Sequence, residues 1–331
     1  MYRITNEKVE KIEPATFADL NLKENDLEEM LRNSIEILCD DEESLLIVGR
    51  QVKNEQLGRS DLTAIDHNGN VVLIELKRDK NDIVRRKEGF EFQAIRYAAS
   101  YATIESVEDF VRKVYAPYIE KYRHEFNIGS LTTYELGVRM LTEFLESNES
   151  EERFNKNQKV ILVASEFDEQ TLSAVAWLNK NGVDMTCIQL TPYRINEDTY
   201  LDAVKVLPLE EYNDYYVNLM DVSVGKVSPS GTRKRKILPK INDMLEWGVV
   251  KAGDIIQAKG RESQGTLLEN GHVLVDGSEM SLQKWLQNVF GWASVHTYGF
   301  VVHQETGKTL SQIRKEHMDK KLEETEEETA E

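Results

Sequence analysis

Apolar residues recur along the first third of the chain at two different periods. From Asp26 to Leu38 they fall at Leu27, Met30, Leu31, Ile35 and Leu38, the spacing of one buried helix face. Asp26 at the start of that stretch predicts an N-cap, with Glu29 as its capping-box partner. Leu45 to Val48, Ser60 to Asp66 and Val71 to Lys77 read as strands, the last two joined across His67-Asn68-Gly69. A helix containing Phe90 to Tyr101 follows, and residues near 106 to 148 are largely helical in pattern. A strand from Lys159 to Phe167, a helix from about Glu169 to Asn179 and a strand from Asp184 to Tyr193 then form a strand-helix-strand unit that extends the same sheet. The first domain is therefore expected to be α/β.

The pattern stops between 222 and 236, where Ser, Gly and Pro predominate without apolar periodicity, which predicts a linker. Beyond it the chain reads as a helix (Ile237 to Trp247), a strand near Asp254 to Ala258 and a hairpin signalled by Asn270-Gly271. A helix from Ser281 to Phe290 and a terminal strand from Tyr298 to His303 complete a small α+β module. The expected organisation is an α/β domain over 1–221, the linker, an α+β domain over 237–316 and an acidic tail over 317–331.

Within VVLIELK, Glu75 and Lys77 lie two apart and project to one face of the strand, while Val72, Ile74 and Leu76 fill the other. Whether Asp61 joins them depends on the hairpin. A two-residue Asn68-Gly69 turn pairs Asp61 with Leu76, whereas a three-residue loop ending in a left-handed Gly69 with a bulge pairs it with Glu75. Only the second register aligns Leu62 and Ala64 with Ile74 and Val72 on one apolar face, so burial selects it. Asp61 and Glu75 are then expected to face each other across adjacent strands.

Charge complicates any anionic partner. The chain has 331 residues, 40% hydrophobic and 30% charged, with a formal net charge of -18, and a net-acidic protein is repelled from nucleic acid at long range. Six of the acids are glutamates in the final LEETEEETAE, which reads as a disordered tail. In the opposite sense, Arg233, Lys234, Arg235, Lys236 and Lys240 place five bases in eight residues, either as a solvated linker or as a phosphate contact. No apolar run is long enough to span a membrane and no secretory or transit signal is visible. Cys39 and Cys187, far apart and within apolar stretches, suggest buried thiols in a reducing cytoplasm.

Two facing carboxylates about 5 Å apart repel by roughly 3 kcal/mol at an effective dielectric of 20, so both remain ionised cheaply only beside a cation. Mg2+ or Mn2+, taking oxygen ligands and keeping waters, fits such a pair and supports phosphodiester hydrolysis. Lys77 would position or deprotonate the attacking water and stabilise charge on the phosphate. The ordinary alternative is a strand-edge ion pair beside a turn-proximal acid. No Walker loop, GxGxxG, HExxH or Ser-His-Asp order competes with this reading.

The stretch GRQVKNEQLGRSDLTAIDHNGNVVLIELKR followed by FQAIRYAASY resembles the NucS-like branch of the PD-(D/E)xK nucleases. The resemblance rests on Gly58, Arg59 and Asp61, on the Glu75-x-Lys77 strand, on Gln93 and Tyr97, and on Leu27, Glu28 and Leu31 upstream. It implies a restriction-endonuclease-like mixed sheet flanked by helices, metal binding by Asp61 and Glu75, catalysis by Lys77, a metal-proximal carboxylate at Glu28 and support from Gln93. Ser60 stands where the family has proline, and the segment between Lys77 and Gln93 is long. Glu28 is preferred to Glu29 because the latter already has a role in the capping box. Gln93 and Tyr97 serve equally well as helix packing, and Arg59 either contacts phosphate or pairs with an acid.

The chain from about Ile237 to Arg314 is similar to the RAMA domain, a module associated with restriction enzymes and adenine methylases, which implies reading of nucleic acid and of modified bases. Trp285, Trp292 and Tyr298 are candidates for base stacking or for core. The combined expectation is a magnesium-dependent endonuclease that cuts DNA, with nucleic-acid contacts at Arg59, Tyr97 and Arg233 to Lys236 and a homodimer suggested by the family. The competing expectations are a nucleic-acid-binding module without catalysis, and a repair or RNA-directed nuclease of the same fold.

Overall fold

The computed structural model describes residues 1–5, 8–39, 41–54, 58–78, 89–208 and 238–330, with side chains through 321. The candidate linker, and with it Arg233, Lys234, Arg235 and Lys236, lies outside the described residues. The chain opens with a two-stranded ribbon, β1 (Tyr2–Thr5) and β2 (Lys8–Lys11), which the sequence pattern did not suggest. It continues through α1 (Glu24–Asn33), β3 (Leu45–Lys53), β4 (Arg59–Asp66), β5 (Val71–Lys77) and α2 (Phe90–Tyr101). Helical segments Val107–Phe110, Val111–Tyr115 and Ala116–Lys121 precede α3 (Thr133–Ser147), β6 (Gln158–Ala164), α4 (Glu169–Lys180), β7 (Asp184–Ile195) and β8 (Asp198–Leu207).

Among the described residues, β3 to β8 form one six-stranded mixed sheet in sequence order. β3, β4 and β5 are antiparallel, β5, β6 and β7 parallel, and β8 returns antiparallel to β7. The expected α/β class is thus what the chain forms. β5 and β6 are near-continuous apolar runs because both sheet faces are covered. Phe90 and Ala94 of α2 and Val175 of α4 pack on Val160, Leu162 and Cys187. Leu27 and Leu31 of α1 and Leu141 and Phe144 of α3 belong to the larger core with Ile74, Ile161 and Val163.

Several boundaries differ from the sequence reading for local reasons. α1 begins at Glu24 with Lys23 as N-cap, and Asp26 is the third helical residue, its carboxylate accepting from the Lys23 N–H at 2.8 Å. Glu29 therefore has no capping role. β3 runs to Lys53 through a bulge between Ile47 and Gly49. β8 was missed because an edge strand buries little, and its exposed Tyr200 and Val204 do not alternate with a polar set.

The C-terminal part is a separate antiparallel sheet with short helices. It contains β9 (Ile255–Ala258), β10 (Gln264–Leu267), β11 (Val273–Val275), β12 (Ser278–Met280), α5 (Leu282–Phe290), β13 (Val301–His303), β14 (Lys308–Thr309) and α6 (Leu310–Ala330). Its strand order is β12-β11-β10-β9-β13-β14. Tyr298 falls in a helical turn (Thr297–Phe300) ahead of the terminal strand. Trp285, Trp292 and Tyr298 are 2%, 4% and 3% exposed, so all three are core and none presents a ring to a base. α6 also carries the acidic end of the chain in helical form, where disorder was expected; Glu, Lys and Ala are strong helix formers and neither Gly nor Pro interrupts them.

The two parts share a core and a seam. Phe144 meets Trp292 edge-on at 4.8 Å, and Leu45, at the start of β3, exchanges backbone hydrogen bonds with Ser294. Beside this bridge the Glu42 carboxylate accepts from Arg314 at 2.8 Å and contacts His296 at 3.0 Å. Burial alone would raise the Glu42 carboxyl, but the hydrogen bonds and charges of His296 and Arg314 hold it down at about 2. Arg314 is only 3% exposed and also donates to the Pro239 carbonyl. Arg314→Ala is expected to cost about 3 kcal/mol, the order found when one partner of a buried ion pair is removed. Urea unfolding monitored by tryptophan fluorescence checks this, and the Glu42 contribution should fade as pH falls from 4.5 through about 2.

Candidate active site

The site is assembled where β4 and β5 part company. Their register pairs Leu62 with Ile74, Thr63 with Leu73, Ala64 with Val72 and Ile65 with Val71. Asp66 and Asn70 close a three-residue loop, with Gly69 at φ +81. This is the arrangement that burial selects, and its continuation sets Asp61 opposite Glu75. Beyond Leu62 and Ile74 the two carboxylates take the place of main-chain partners. Glu75 Oε1 accepts from the Asp61 N–H at 3.3 Å, and Asp61 Oδ2 accepts from the Leu76 N–H at 2.8 Å.

Both acids are buried, Asp61 at 7% exposure and Glu75 at 0%. Burial pushes the Asp61 carboxyl up to about 7, against the attraction of Lys77 and the Leu76 hydrogen bond. Burial first, and then the Asp61 charge, hold the Glu75 carboxyl well above the usual carboxylate range. Two protein acids in this state are poised to release protons when a cation arrives.

Lys77 closes the group. Its Nζ donates to the Leu76 carbonyl at 2.8 Å and to Glu24 Oε1 at 3.0 Å. Burial works against the ammonium, but the charges of Asp61 and Glu24 and the hydrogen bond to Glu24 outweigh it and raise its pKa. From α2, Gln93 Nε2 donates to Glu75 Oε2 and to the Tyr97 hydroxyl, each at 3.4 Å. Tyr97 is itself 7% exposed, and its hydroxyl accepts from the Arg59 N–H at 3.0 Å. The Tyr97 ring fills the space over Gly58, where an added Cβ would lie 2.6 Å from Tyr97 Cε1. Gly58→Ala is therefore expected to destabilise the chain by about 1–3 kcal/mol, read by thermal unfolding.

The sequence-derived residues are not all in equivalent positions. Asp61, Glu75, Lys77, Gln93 and Tyr97 come together as one contiguous group. Glu28 is 2% exposed and its charge reaches Asp61, but its carboxylate is bonded to Arg50 Nε at 3.0 Å and to Gln51 Nε2 at 2.9 Å. Glu29 turns instead to Arg32 and Arg50. Of the two, Glu28 is the buried one, and Glu29 takes no part in the capping box in which the sequence pattern placed it. Arg59 is exposed at the rim.

Sequence reasoning missed Glu24, the residue in contact with Lys77. Its signal was present: Glu24 and Glu28 are four apart on α1 and so share a helix face. Arg50 and Gln51 were also missed, because the β3 bulge that directs them cannot be read from alternation. Gln51 lies at φ +54, in the left-handed region, where it bridges Asn25 and Glu28.

No family profile matches this sequence. A search of curated proteins likewise finds no match. Among the described residues, no group of three or more His, Cys, Asp or Glu side chains is arranged to hold a metal ion. The donor set of Asp61 and Glu75 nevertheless suits a hard divalent cation that keeps part of its water shell, because two buried acids with raised pKa values lack the positive charge that would let both ionise. The group as it stands sets two carboxyls side by side, holds an ammonium near them and orients a Glu75 oxygen through Gln93.

Proposed function

We propose that this chain is a metal-dependent nuclease of the PD-(D/E)xK type that hydrolyses phosphodiester bonds in DNA. The observation that carries the reading is that Asp61 and Glu75, from different strands, are buried together on the face of the sheet that also bears Lys77, with their carboxyls raised by burial. Folding alone does not ask for two buried acids at the parting of two strands, where apolar residues would serve better. Asp61 and Glu75 would hold Mg2+ or Mn2+. When bound, such an ion supplies charge neutralisation for the phosphate and acidifies a bound water. Lys77, with its ammonium fixed by Glu24 and the Leu76 carbonyl, contributes positive charge beside the reacting phosphate. Gln93 fixes the Glu75 carboxylate.

In this reading the C-terminal part, similar to the RAMA domain, directs where the DNA is cut, with base modification as the feature it distinguishes, in a restriction or defence setting. Its buried tryptophans leave that role to groups other than Trp285 and Trp292. No helix among the described residues is long and apolar enough to cross a membrane. Cys39 and Cys187, neither of them in a disulfide, suit a cytoplasmic protein, and a homodimer is the proposed assembly.

A second reading, nucleic-acid binding without catalysis, is favoured by one observation: both acids have main-chain N–H partners, and among the described residues no third protein ligand accompanies them. The test is incubation of supercoiled plasmid DNA, unmodified and base-modified, and of RNA with the chain in Mg2+ or Mn2+. Nicking that disappears with EDTA and with Asp61→Asn is the expected outcome. Binding without cleavage of any substrate in either metal would move the assignment to the second reading.

A further inference from the structure

We propose that Lys53 and Arg59 form a phosphate-binding subsite that holds the nucleic-acid backbone next to the acidic centre; the proposal rests on the nuclease reading above. The two residues are Cα partners across the β3–β4 ladder, and both side chains are exposed. Like charges placed directly opposite on one sheet face are unfavourable. Here no acidic side chain among the described residues pairs with either of them. A cation pair of this kind gains most from an anion that both can touch.

Its position follows from the strand. Arg59 is two residues before Asp61 on β4, roughly 7 Å along the strand. A phosphate bound there lies on the track that leads to Asp61 and Glu75. The backbone of Arg59 is fixed by the Tyr97 hydroxyl, and Gly58 leaves room for the Tyr97 ring. Tyr97 is one turn from Gln93, which reaches Glu75, so one helix sets the spacing between the cation pair and the acid pair.

The charge of the whole chain gives this arrangement its purpose. A protein of net charge -18 repels a polyanion at long range, and Glu24 places a further acid beside Lys77 at the site itself. Lys77 is engaged inside the centre. Lys53 and Arg59 are cations at the rim that can meet the strand before it reaches the acids. Their contact is to the backbone, so it favours no base sequence.

The test uses the full-length chain in calcium buffer and measures anisotropy of a fluorescein-labelled DNA duplex across a salt series. For Lys53→Ala/Arg59→Ala, the slope of log K against log salt should fall by roughly 1.8, the loss of two phosphate contacts, with an unchanged melting temperature. Lys53→Arg should retain the wild-type slope. Lys121→Ala/Lys180→Ala, which removes two exposed cations elsewhere, should also retain it. An unaltered slope in the first variant, or an equal fall in the control, overturns the subsite. Hydrolysis by wild type with an unaltered slope defeats the subsite alone. A lost slope without hydrolysis in any divalent metal keeps the subsite and defeats the nuclease reading, and a wild type that binds no DNA defeats both.

Discussion

Replacing Lys77 by alanine is expected to lower single-turnover DNA hydrolysis by about 10^3-fold while leaving DNA affinity within a few-fold of wild type. The magnitude is that of removing one preorganised charge from a developing oxyanion in a water-poor site. Lys77 suits this part because its ammonium is held by Glu24 and the Leu76 carbonyl, and no hydrogen bond ties it to Asp61 or Glu75. Its charge is available to a phosphate without first breaking a contact to the acids. The same variant should bind Mn2+ at least as tightly as wild type, since a positive neighbour of both carboxylates has been removed. Calorimetry with Mn2+ and quenched-flow cleavage separate the two effects. Weakened Mn2+ binding that accounts for the whole loss of rate would show that Lys77 organises the acids rather than stabilising the phosphate.

Glu24 refines this picture. It meets Lys77 from the first turn of α1, on the same helix face as Glu28. Glu24→Gln should weaken the hold on Lys77 and lower the hydrolysis rate by about tenfold, a loss of roughly 1.4 kcal/mol for one partly exposed charge-assisted contact. In a Lys77→Ala background the same change should have no further effect, because contacting residues whose roles run through one another are not additive. A full additional loss in the double variant would give Glu24 a role of its own.

The most informative parts of the sequence were those where burial leaves one solution. The β4–β5 register could be read because a slip by one residue would have exchanged Leu62 and Ala64 for polar neighbours, and just beyond it the Asp61 N–H meets the Glu75 carboxylate. The central strands could be read because apolar runs bounded by turns have few other uses. The rest depended on contacts that have no period. Arg50 and Gln51 enter the site through the bulge in β3, which leaves no mark in alternation, and Glu24 enters through the true start of α1, marked only by its four-residue spacing from Glu28. The seam at residues 41–45, where Leu45 and Ser294 pair, joins segments about 250 residues apart and is invisible to local pattern. Trp285 and Trp292 illustrate the converse: a large aromatic is equally compatible with a base-stacking surface and a core until burial decides.

Asp61→Asn should make the metal-free chain more stable at alkaline pH while abolishing its response to divalent cations. Folding raises the Asp61 carboxyl from 3.8 to about 7, chiefly through burial. A raised carboxyl favours the folded state while it is protonated, so this contribution is present below pH 4 and is lost as pH rises through about 7. Above that pH the wild type carries an ionised buried acid beside Glu75, at a cost of up to about 4 kcal/mol. Asparagine removes that cost and still offers an oxygen to the Leu76 N–H. The variant should therefore exceed wild type in urea midpoint at pH 8 and approach it at pH 4. Adding Mn2+ at 100 times its dissociation constant should restore about 2.7 kcal/mol to the wild type and nothing to the variant. Equal pH profiles for the two proteins without metal would mean that Asp61 is solvated in the folded chain. Equal stabilisation by Mn2+ would place the cation elsewhere and remove the support for a metal-dependent reaction at this pair.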